Sequence, residues 1–90
     1  MNSDFSAARA RLDAAEAKRE EVLLRHIANG VTIESRTVEI DESVVIAPGA
    51  KILSGTILRG KTVIGAGCVI GPNSLIEDST VDEGTTVNAS

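Results

Sequence analysis

Few side chains in this 90-residue chain could do chemistry, and their spacing limits what they could do. There is one histidine, His26, and one cysteine, Cys68. An imidazole acts as a base or a metal ligand only beside partners, and one histidine alone makes no site. His26 stands between Arg25 and Ile27 in a helical stretch and reads as a surface or helix-end residue. Cys68 has no histidine nearby to activate it and falls in a slot occupied elsewhere by small residues, so it reads as a packing cysteine. Glu77-Asp78 and Asp82-Glu83 form an acidic cluster. It is a solvated loop unless a fold arranges its oxygens around a cation. Gly65, Gly67 and Gly71 do not join a strand to a helix and make no phosphate loop. Spacing therefore assigns no catalytic, cofactor-binding or metal residue.

The elements that would position such residues are set by a period of six. A large aliphatic residue recurs at Ile40, Ile46, Ile52, Leu58, Ile64, Ile70 and Ile76, then after a five-residue step at Val81 and Val87. A chain that turns a corner after every short strand needs this period, and it is the hexapeptide signature of a parallel β-helix. Four residues after each large one come Val44, Ala50, Thr56, Thr62, Cys68, Ser74 and Thr80, all small or β-branched. Strand alternation puts each on the same face as the next large residue, so the interior takes one large and one small side chain per strand.

The corners agree with this register. Ser43, Gly49, Gly55, Lys61, Gly67, Asn73 and Gly84 occupy the turn position, mostly residues that accept positive φ. Pro48-Gly49 and Pro72-Asn73 are the central pairs expected of type II turns. Lys61 fits poorly, and Gly60 beside it can take the strain. Eighteen residues per coil predict the inward columns Ile40/Leu58/Ile76, Ile46/Ile64/Val81 and Ile52/Ile70/Val87, and an outward row Asp41/Arg59/Glu77 of alternating charge.

The position before each large residue faces outward and reads Val45, Lys51, Ile57, Val63, Val69, Leu75. Five apolar residues of six invite two readings. One is β-propensity on exposed strands. The other is a partner covering stripes made by Val45 with Val63 and Ile57 with Leu75, as in a symmetric oligomer. Leu53 adds another outward apolar side chain.

Residues 3–29 predict one helix, with Ser3 or Ser6 as the cap. Phe5, Ala8, Leu12, Ala15, Val22, Leu23 and Ile27 trace its apolar stripe, Glu21 and Arg25 form an i,i+4 pair, and Asn29-Gly30 ends it. The helix is either a solvated connector or a lid on the first coil, touching it through Val22, Leu23 and Ile27. Five acidic and five basic residues balance in 1–30, whereas 31–90 holds eight acidic and four basic. A net charge of -4 argues against a nucleic-acid surface. One cysteine excludes an internal disulfide and fits a reducing compartment. No apolar run approaches a membrane span and no signal peptide follows Met1, so the expected location is cytoplasmic.

The stretches Arg25–Ile33, Gly60-Lys61-Thr62-Val63-Ile64-Gly65, Cys68–Ser74 and Ile76-Glu77-Asp78-Ser79-Thr80-Val81 carry a more specific likeness. Over roughly residues 9–90 the chain resembles the middle of the bifunctional bacterial UDP-N-acetylglucosamine pyrophosphorylase/glucosamine-1-phosphate N-acetyltransferase family. The likeness includes the helix-to-coil junction and the shortened step. It implies a left-handed parallel β-helix, although the general crossover rule would favour the opposite hand. It also implies a linker helix over 1–30, a truncated β-helix domain of about 2.5 coils over 31–90, and a homotrimer.

The family transfers acetyl from acetyl-CoA to glucosamine 1-phosphate, then uridylyl from UTP with magnesium, in UDP-N-acetylglucosamine biosynthesis for cell-wall precursors. The glycine-rich nucleotide motif and the coils carrying the acetyltransferase histidine, lysines and arginine are not in this chain. The family's magnesium-binding asparagine precedes the linker helix. Leu12 and Ala15-Glu16-Ala17 align in a register that puts Ala7 there, so the ligand is not carried to Asn2. The expectation is a connecting, trimer-nucleating segment that catalyses neither half-reaction alone. The alternatives are a freestanding β-helix scaffold and another hexapeptide acyltransferase, the latter fitting the coils but not the junction.

Overall fold

A strand of two or three residues, followed by a corner, cannot pair with its neighbour in sequence. It pairs with the strand one coil away. The computed structural model describes residues 5–88 and shows this arrangement. Ser3 and Asn2 lie outside the described residues. The strands are β1 (Thr32–Ile33), β2 (Glu39–Ile40), β3 (Val45–Ile46), β4 (Lys51–Ile52), β5 (Ile57–Arg59), β6 (Val63–Ile64), β7 (Val69–Ile70), β8 (Leu75–Glu77), β9 (Thr80–Val81) and β10 (Thr86–Val87). They make three parallel sheets, in the orders β1-β4-β7-β10, β2-β5-β8 and β3-β6-β9. These sheets are the faces of a three-sided tube, the left-handed β-helix expected.

The pairing registers place Ile40, Leu58 and Ile76 in one column, Ile46, Ile64 and Val81 in a second, and Ile33, Ile52, Ile70 and Val87 in a third. The core is these columns with the small residues between them; Ala50, Thr56, Thr62 and Cys68 are fully buried. β1 completes a first coil ahead of Ile40. Its Ile33 is seven residues from Ile40, so a strict six-residue count passes over it. Thr80, expected inward, points outward and pairs beside Val63. The five-residue step shifts the small-residue position to Ser79, whose carbonyl accepts the Val63 amide at 2.9 Å.

The turns hold as expected at Gly49, Gly67 and Asn73, which have positive φ. At the Lys61 corner it is Gly60 that takes φ +65°.

The helix α1 (Ser6–Ala28) precedes the tube. Phe5 occupies the N-cap position and makes no side-chain cap hydrogen bond, and Ser6, expected as a cap, is the first residue of the helix. The C-terminus is built as Asn29-Gly30 implies. Gly30 has φ +91°, its amide bonds to the Ile27 carbonyl at 3.0 Å, and the Val31 amide reaches the His26 carbonyl at 3.0 Å. This paired closure satisfies carbonyls that a helix end leaves open and delivers the chain straight into the first coil. The Glu21–Arg25 pair is present at 3.5 Å.

The last turns of α1 lie across the mouth of the tube, packing on β1 and β2. Val22 and Leu23 are buried there with Val31, Val38, Ile40, Val44 and Ile46. Ile27, expected in that contact, is 47% exposed, and His26 is buried in its place. The earlier part of the stripe, Phe5, Ala8, Leu12 and Ala15, stays exposed because that half of the helix runs past the tube.

Candidate functional site

The fold separates the residues that could have made a site. His26 covers the mouth of the tube at the first coil. It is the helix-end residue expected, but it is buried. Its pKa is held below the ordinary value, first by burial and then by the positive charge of Arg25. Cys68 is fully buried where the chain enters β7, two coils further on, and its Sγ donates to the Asp82 carbonyl at 2.9 Å. It packs as the sequence implies and has no imidazole beside it.

The acidic cluster also divides. Glu77 ends β8 and Asp78 follows it in the corner before β9, whereas Asp82 and Glu83 occupy the next corner. Asp78 has positive φ and accepts the Lys61 amide at 2.8 Å. Among the described residues, no three His, Cys, Asp or Glu side chains converge as a metal site requires. Gly65, Gly67 and Gly71 lie at corners between strands, away from any helix start.

Several roles escaped the sequence because the partner lies one coil away. Glu34 Oε1 accepts both the backbone N–H and the hydroxyl of Ser54, at 2.9 and 2.7 Å. Both bonds lower the Glu34 pKa. Thr37 Oγ1 accepts the Gly55 amide at 2.9 Å, and Asp41 Oδ2 the Gly60 amide at 3.0 Å. The readable signal is an oxygen-bearing side chain about one coil before a glycine turn.

That use of Asp41 also explains the outward row. Arg59 pairs in register with Glu77, but among the described residues no ion pair joins Arg59 to Asp41 or Glu77. The ion pairs instead tie the helix to the first coil. Lys18 Nζ meets Glu42 at 2.8 Å, raising the lysine pKa and lowering that of the carboxylate, and Arg36 meets Glu20. Arg19 adds a staple by donating to the carbonyls of Arg36 at 2.7 Å and Val38 at 3.5 Å.

Some outward strand positions leave large apolar side chains exposed. On the third face Val45 is beside Val63; on the second, Ile57 is beside Leu75. Val45 and Leu75 are more than half exposed, Val63 is 39% exposed, and Ile57 and Val69 are half-buried. The first face is more polar, with Thr32, Lys51 and Thr86 around Val69. The two stripes lie on neighbouring faces, as the sequence predicts. No helix among the described residues is long and apolar enough to cross a membrane.

No curated protein matches the chain. Residues 43–78 match the family model described as bacterial transferase hexapeptide (six repeats), and this stretch of the tube has the hexapeptide repeat that the model describes.

Proposed function

We propose that the chain is the connecting and trimer-nucleating segment of an enzyme that makes UDP-N-acetylglucosamine. Its helix leads from a uridylyl-transfer domain, and its coils begin the β-helix of an acetyl-transfer domain. The observation that carries this reading is the junction. The same residues that resemble the bifunctional family, Arg25–Ile33, form the Gly30 closure that seats the helix end on the first coil. Acetyl-CoA, glucosamine 1-phosphate, UTP and magnesium belong to parts of that enzyme whose motifs this chain does not carry. The segment alone turns over neither reaction. Its free, buried thiol suits a cytoplasmic setting.

Two assays test the reading. Residues 9–90 replace the matching segment of a family enzyme, and both activities and the trimer are retained; loss of the acetyl-transfer activity from a folded chimera refutes it. The isolated chain is also incubated with acetyl-CoA and glucosamine 1-phosphate, and clear turnover overturns the inactivity. The exposed Val45/Val63 and Ile57/Leu75 stripes support a second reading, a freestanding scaffold that trimerises without catalysis. In both readings the chain sediments as a trimer, and Val63→Asp with Ile57→Asp makes it a monomer. A stable monomer before substitution removes the trimer.

A further inference from the structure

We propose that His26 is a proton-sensitive latch, whose protonation in mild acid loosens α1 from the mouth of the tube. The imidazole is 9% exposed and lies in the last turn of α1, in a hollow shared with Val44, Val45 and Ile46 of the third face. Among the described residues, no side-chain hydrogen bond or ion pair reaches its ring nitrogens. The ionisable groups that face the same hollow are Arg25 from the helix and Glu42 from the first-coil turn. Arg25 repels a second cation. Glu42 is already engaged by Lys18 at 2.8 Å. The strand beneath offers only aliphatic side chains.

A neutral ring suits this place. An imidazolium would give up part of its water there without gaining a carboxylate, which is the condition that disfavours a buried charge. Burial and Arg25 both act in that direction on the docked ring. Lifting the helix rehydrates His26, so the undocked state binds the proton more readily. Docking is therefore strongest above the ordinary imidazole value of 6.5, weakens as pH falls through it, and levels off below the docked value. What is uncovered more often in acid is the apolar mouth formed by Val31, Val38, Val44 and Ile46.

Amide hydrogen exchange on the full chain tests the latch. The Val31 amide, bonded to the His26 carbonyl at 3.0 Å, reports the helix end; the Leu53 amide, bonded to the Ile70 carbonyl at 2.8 Å, reports the tube. After correction for intrinsic exchange, protection of Val31 relative to Leu53 falls by about three- to tenfold between about pH 7 and 5, the scale set by one linked proton. His26→Leu and His26→Gln abolish the fall. The sole imidazole of the chain, followed by NMR, titrates below 6.5. The latch is overturned by a constant Val31/Leu53 ratio in the unsubstituted chain, by an imidazole titrating at or above 6.5, or by a fall that persists in a folded variant. If neither variant folds, the first two measurements still decide.

Discussion

Ile64→Ala removes side-chain mass from the middle of a column in which Ile46 lies on one side and Val81 on the other. Ile64 is fully buried. Losing three carbons forfeits about 2.4 kcal/mol at ~0.8 kcal/mol for each buried methylene. The neighbouring coils cannot close the gap, because the Val45, Val63 and Thr80 backbones are held in register by the ladders on that face. A residual cavity of roughly 60 Å³ then adds about 1.4 kcal/mol at ~24 cal/mol per Å³. The expected loss is about 4 kcal/mol, near the upper part of the range for such truncations. Val81→Ala is the internal control. Val81 ends the same column and is only half-buried, so its truncation costs about 1 kcal/mol. Urea unfolding, followed by circular dichroism and by hydrogen exchange at the Ala47 amide, measures both. The Ala47 amide bonds to the Ile64 carbonyl at 2.9 Å and so reports this column directly. Equal losses, or a loss below about 1 kcal/mol at Ile64, would show that the column is not a packed, incompressible stack.

Three further perturbations separate the other forces. A Cβ at Gly65 meets the Glu83 amide nitrogen at 2.6 Å, whereas one at Gly67 meets nothing within 4 Å but must hold φ +72°. Gly67→Ala therefore costs about 1–2 kcal/mol of local strain, and Gly65→Ala costs more and selectively raises exchange at the Val69 amide, which bonds to the Thr85 carbonyl of the displaced coil. Arg19→Met keeps the aliphatic stem but removes the exposed bond to Arg36, the long one to Val38 and the unpartnered buried Nε, costing about 0.5–1.5 kcal/mol of helix docking; an unchanged unfolding midpoint would contradict the staple. Glu34 has a pKa below its ordinary 4.5 because it accepts two bonds from Ser54. Its contact is complete above that value and is lost as pH falls through the lowered one. Protection of the Ser54 amide should fall over that range, and Glu34→Gln should remove the pH dependence.

The columns were legible because one repeated step fixes both the strand and the corner. Ile46, Ile64 and Ile70 needed no knowledge beyond the count of six, and Pro48-Gly49 marked the same register independently. Where the step changed, the reading slipped. The seven residues from Ile33 to Ile40 concealed a strand, and the five from Ile76 to Val81 turned Thr80 outward. At the helix, Val22 and Leu23 were recognisable from spacing, but the choice between Ile27 and His26 depends on how the helix rotates over a narrow opening. That angle is set by Lys18, Arg19 and Glu20 reaching the first-coil corners, contacts that span sixteen to twenty-four residues and leave no local pattern. The glycine-amide contacts of Thr37 and Asp41 were hidden for the same reason.

The lid at one mouth gives the solenoid a direction. With Val22 and Leu23 seated over the starting layer, that side has no room for another turn of backbone. The opposite rim keeps Val81 and Val87 only half-covered. Extra repeats, whether gained by duplication or engineered, can therefore be stacked on one side alone, and copies of the chain cannot join nose to tail into a continuous fibre unless the helix first swings away.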